Sequence, residues 1–128
     1  MHQINRSMMM KKVLLIAIGL VLVGCADKKP LTPEEKWHGF CVSVGNAARS
    51  ITLDRQNAIE KQQAIEHAGK IEDKTIHKFI LQIIDEVYEI PVDQLKSDPS
   101  AIRDEMKQKF TEQCLATPHD ELPNYKSF

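Results

Sequence analysis

The 128-residue chain lacks most of the motifs that announce a chemistry. It has no HExxH, no GxSxG and no glycine-rich phosphate loop, so the usual metalloprotease, hydrolase and nucleotide signatures are missing. Its three cysteines include no CxxC spacing, which argues against a zinc site. Charge of one sign is lacking too: 17 basic and 18 acidic residues leave a net charge of −1. Without a basic stripe, nucleic acid and anionic lipid headgroups are poor candidates as partners. No internal repeat or low-complexity tract occurs. The strongest apolar run, Val13 to Gly24, is only twelve residues. As a helix it would span about 18 Å at roughly 1.5 Å per residue, short of the roughly 30 Å of hydrocarbon in a bilayer. It is also apolar on every side and follows a basic start, which suits a buried core helix poorly.

What is present at the N-terminus has the order of an export signal. Arg6, Lys11 and Lys12 give the basic start, Val13 to Gly24 the apolar core, and small residues precede Cys25. Met8, Met9 and Met10 offer a second start, and beginning at Met8 gives a more typical leader than Met1.

Leu22-Val23-Gly24-Cys25 resembles the lipobox of bacterial lipoproteins. The resemblance implies that residues 1–24 are a cleaved signal peptide and that the Cys25 sulfur carries a diacylglycerol, with its new amino group usually acylated as well. Residues 25–32 would then be a lipidated tether, 33–116 a helical domain and 117–128 a flexible C-terminal tail. Ala26 follows the cysteine and Asp27 comes one place later; by the same resemblance this favours the outer membrane, facing the periplasm. One acyl chain binds a membrane reversibly, whereas two or three anchor stably, at about 0.8 kcal/mol per buried methylene.

The leader takes three of the basic residues and none of the acids, so the 104 residues from Cys25 to Phe128 carry a net charge of −4. That length suits one small domain. With Cys25 given to lipid, Cys41 and Cys114 remain, and an exported chain meets an oxidising compartment. A disulfide is the natural pairing, with a shared metal or two free thiols as alternatives.

The remaining sequence reads as helices. Thr32-Pro33-Glu34-Glu35 has the form of a capping box with proline in the first turn. Behind it Trp37, Phe40, Cys41, Val44, Ala48 and Ile51 recur at steps of three and four. Asp54 is expected to cap a second helix carrying Ile59, Ile65 and Ala68 and stopping at Gly69. Asp73 opens a third, with Ile76, Phe79, Ile80, Ile83, Ile84 and Val87 on one face, ended by Pro91. Residues 90–99 read as a loop, and Asp98-Pro99 start a fourth helix carrying Ile102, Met106, Phe110 and Cys114. The expected fold is all-α: a small four-helix bundle closed by one disulfide. In an up-down-up-down topology the end of helix four meets the start of helix one, which would bring Cys114 to Cys41. An irregular packing of four helices satisfies the same facts.

Candidate sites are few, and no catalytic residue, metal or cofactor is expected. His38, His67 and His77 come from three different helices and would bind a metal only if the fold gathered them. Asp85, Glu86 and Glu89 form an acidic cluster with an ordinary reading as a solvated face. Ser43 and Ser50 lack a nucleophile context. Trp37 beside Phe40 is either core or a binding surface, since tryptophan is enriched at binding hot spots. The domain is similar in class, though in no motif, to small periplasmic acid-stress chaperones with one disulfide. The expected role is a membrane-anchored periplasmic module that binds a protein partner. The alternative is a chaperone, or an immunity or inhibitor lipoprotein that neutralises a toxin or hydrolase.

Overall fold

The computed structural model describes residues 29–119, all-helical through five helices. The expected signal peptide (1–24), Cys25 and the tether residues 26–28, and residues 120–128 of the expected tail lie outside the described residues. The helical body begins at Thr32.

Helix α1 (Pro33–Gln56) starts with the expected reciprocal cap. The Glu35 N–H donates to Thr32 Oγ1 at 3.2 Å, and the Thr32 N–H donates to Glu35 Oε2 at 2.7 Å. Asp54 does not cap a second helix as expected; it lies inside α1, which continues to Gln56. The chain turns only at Asn57 and Ala58, where Ala58 takes the left-handed φ of 65°. Helix α2 (Lys61–Ala68) starts three residues later, with the Glu60 N–H held by Gln63 Oε1 at 3.2 Å, and ends at Gly69.

Helix α3 (Lys74–Glu89) is capped by Asp73, whose Oδ1 accepts from the N–H groups of Thr75 and Ile76 at 2.9 and 3.0 Å. It ends where Ile90 turns extended before Pro91. The segment expected as a loop instead contains a six-residue helix, α4 (Val92–Ser97), pinned by the buried Leu95. Gln56 Nε2 donates to the carbonyls of Leu95, in α4, and Pro99, at the start of the helix that follows, at 3.3 and 3.1 Å, tying the end of α1 to both. Helix α5 (Pro99–Leu115) begins at Asp98, whose Oδ1 accepts from the Ala101 N–H at 3.1 Å.

Helix α1 is the central member, packed mainly on α5 and also on α3, while α2 packs on α3 and α4 on α5. Its partners fix the directions. Along α1, Cys41, Arg49 and Gln56 meet Cys114, Asp104 and Pro99 in turn, so α5 runs antiparallel. Phe40 meets Phe79, and Arg55 meets Tyr88, so α3 runs parallel to α1. The expected α1 stripe is buried through Trp37, Phe40, Cys41, Val44 and Ala48, against Ile83 and Val87 of α3 and Met106, Phe110 and Cys114 of α5. Each large apolar side chain removed from water contributes about 1.5–3 kcal/mol. Gly45 lets the α1 and α5 backbones approach, for a Cβ there would lie 2.7 Å from the Lys107 carbonyl oxygen.

Candidate functional site

The cysteine pairing is as expected: Cys41 and Cys114 are bonded, with a Cα–Cα distance of 5.3 Å and no exposure. The Trp37–Phe40 surface is corrected. Trp37 is 5 % exposed and Phe40 2 %, so both belong to the core. Their rings stack at 5.1 Å, Phe79 meets Phe40 edge-on at 5.9 Å, and His119 stacks on Trp37 at 5.1 Å. The apolar stripe of α1 carries both aromatics inward, where ring packing adds about 0.5–1.5 kcal/mol to their burial.

The acidic cluster at the end of α3 is divided among partners. Asp85 pairs with Lys61 at 3.1 Å and Glu86 with Lys109 at 2.6 Å, while Glu89 is exposed. These side chains keep much of their exposure, and such pairs contribute at most about 1 kcal/mol each. His38 is exposed on α1 and His77 half-buried on α3; among the described residues no three metal-ligating side chains come together.

A concavity that sequence reasoning missed lies between α1, α2 and α3. It is a cleft of about 580 Å³. Its floor is aliphatic: Ala47 and Ile51 from α1, Ala64 and Ala68 from α2, Ile59 and Ile71 from the flanking turns, and Ile80 from α3. Ser50, Asp54, Gln63 and His67 supply its polar lining. The small alanines leave the space open, and the short α2 leaves Ile59 before it and Ile71 after it to line the cleft from the turns. Their spread over three segments and two turns gives no compact motif to read. Ser50, Asp54 and His67 are of the types found in nucleophilic triads, but no hydrogen bond joins them. The arrangement suits binding: an aliphatic floor with a few polar groups to orient a ligand.

Next to this cleft, Arg55 ties the end of α1 to the end of α3. Its guanidinium donates to the Val87 carbonyl and lies 5.5 Å from the centre of the Tyr88 ring. A cation at the C-terminal turn of a helix meets the negative end of its dipole. Tyr88 in turn donates its hydroxyl proton to the Ile59 carbonyl at 2.6 Å, fixing the α1–α2 turn. Burial raises the Tyr88 hydroxyl above its usual titration range, the Asp54 carboxylate adds to this, and Arg55 partly offsets it. A second, smaller recess of about 250 Å³ lies beside α4 and includes Arg55, Gln56 and Lys96. Comparison with family models, with curated proteins and with solved structures gives no match.

Proposed function

We propose that this protein is a lipoprotein of the bacterial envelope, anchored through acyl chains on Cys25, whose helical body is a non-enzymatic protein-binding module at the periplasmic face of the outer membrane. The observation that carries this reading is the Cys41–Cys114 bond. A buried disulfide belongs to an oxidising compartment. It also accounts for two of the three cysteines and leaves Cys25, at the end of a segment with the form of an export signal, for lipid. Among the described residues no helix is long and apolar enough to cross a membrane, and in this reading the acyl chains are the anchor.

The module is read as an up-down-up-down bundle of α1, α2, α3 and α5, with α4 as a short insertion. The antiparallel run of α5 against α1 and the parallel run of α3 support that topology. The bridge stiffens one end, and Arg55 with Tyr88 braces the other, which suits a body that offers a fixed surface to a partner. Leu53, Ile59, Val92 and Leu115 are exposed apolar side chains, 39–54 % accessible, on different parts of the body.

The anchor is tested by Cys25→Ser in cells fed labelled palmitate. The wild type is expected to take up label and fractionate with membranes, and the variant to lose both. Equal labelling and fractionation of the two would overturn the anchor. Crosslinking of the tagged wild type in its native envelope is expected to give a discrete protein adduct; recovery of the monomer alone would count against the binding role.

A further inference from the structure

The cleft between α1, α2 and α3 has a chemistry of its own. At about 580 Å³ it falls within the roughly 300–1,000 Å³ of small-molecule sites. It is bounded by eleven residues, against the roughly 20–30 residues a side of a standard protein interface. A small ligand fits it better than a protein. Every apolar residue in the lining is alanine or isoleucine, and no phenylalanine, tyrosine or tryptophan lines it. The floor therefore favours an alkyl body over a planar aromatic one, and it lacks the aromatic cage that holds a quaternary ammonium.

The charge in the lining is Asp54. None of the three ion pairs among the described residues uses it, and its sequence neighbour Arg55 is engaged with the Val87 carbonyl and the Tyr88 ring. Ser50 stands one turn before Asp54 on the same face of α1, where residues four apart lie about 5–6 Å from each other. A primary ammonium has three donors and no acceptor, so it can satisfy the carboxylate and the hydroxyl together. An anionic head would meet the Asp54 carboxylate unpaired.

We propose that this cleft binds a small aliphatic primary amine, with the alkyl chain along the Ile51–Ile71–Ile80 floor and the ammonium held by Asp54 and Ser50. The site stands on the helical body alone and needs no lipid on Cys25.

The test is titration of the full-length chain in lipid nanodiscs with hexylammonium, followed through isoleucine δ1-methyl NMR signals. Saturable shifts are expected at Ile51, Ile71 and Ile80, with Ile102 of α5 unmoved. Hexanoate is expected to bind at least about fivefold more weakly, the span of a partly exposed charge pair. Asp54→Asn, at an exposed position, is expected to weaken hexylammonium about fivefold and leave hexanol unchanged. Ala64→Leu, which fills the cleft, is expected to abolish saturable shifts by hexylammonium and hexanol alike while the circular dichroism melt shows a folded protein. Linear shifts without saturation, equal affinity for hexanoate, an unaltered Asp54→Asn or retained binding by folded Ala64→Leu would each overturn the site.

Discussion

Gly45 lies where α1 packs tightly on α5, and its missing side chain is what permits the contact. A Cβ at this position would overlap Thr111 Oγ1 and come within 2.7 Å of the Lys107 carbonyl oxygen. The threonine can rotate, giving up its hydrogen bond to Lys107 at 2.8 Å, but the carbonyl belongs to the α5 backbone and cannot. Gly45→Ala is therefore expected to push the helices apart and destabilise the fold by about 1–3 kcal/mol, despite the better helix propensity of alanine. Adding Thr111→Ala should restore only part of the loss. Thermal unfolding of both variants measures this, and a Gly45→Ala melt at or above wild type would refute it. Ala58 is the opposite case: a side chain sits where glycine would fit better. Its φ of 65° costs an L-residue about 1–2 kcal/mol, against roughly 0.5–1 kcal/mol of extra unfolded-state freedom for glycine. Ala58→Gly should thus stabilise by about 0.5–1 kcal/mol, seen as a higher urea midpoint at unchanged slope. A lower midpoint would show that the turn is not strained.

At the scale of elements, the joint between α1, α2 and α3 rests on two side chains. Arg55 reaches the Val87 carbonyl, and Tyr88 reaches the Ile59 carbonyl. The Tyr88 hydroxyl is held above its usual range, chiefly by burial. The fold thus favours the protonated form. Its contribution is fully present below the unfolded value of about 10 and is lost as pH rises through the higher folded value. Urea midpoints measured from about pH 8 to 11.5 should therefore fall more steeply above pH 10 for the wild type than for Tyr88→Phe. Tyr88→Phe itself should start about 1 kcal/mol lower at pH 8, having lost one hydrogen bond; parallel curves would refute the coupling. The starts of α1, α3 and α5 were legible in the sequence because their signals are local. Thr32, Asp73 and Asp98 each cap within three residues of themselves. The end of α1 was not, because Asp54 has the chemistry of a cap without the long-range contacts that end a helix; Arg55 instead carries α1 onward to α3. Helix α4 escaped notice since six residues cannot show a period, and only burial of Leu95 holds it. The cleft was hidden for the same reason, its floor being collected from segments distant in sequence.

For the whole molecule, the decisive restraint is the bond that joins the central helix to the last. Cys41 and Cys114 are 73 residues apart, so the bridge restricts most of the helical body when the chain unfolds. Loop-closure entropy for such a length corresponds to about 4.5 kcal/mol, a large share of the roughly 5–15 kcal/mol that stabilises a domain. Native packing between α1 and α5 does not depend on the bond alone, since Phe40, Val44, Met106 and Phe110 share the same core. Replacing both cysteines by alanine should accordingly keep helical circular dichroism in buffer. It should lower unfolding free energy by about 2–5 kcal/mol in guanidinium. The slope of the transition should rise as well, because the uncrosslinked chain exposes more surface when unfolded. Both sulfur-bearing residues are fully buried, so the folded protein should resist thiol reductants that act readily once denaturant is added. Equal midpoints for the double variant and the wild type would mean that packing alone holds the helices. Alkylation of both cysteines in the native, unreduced protein would mean that the bond does not form.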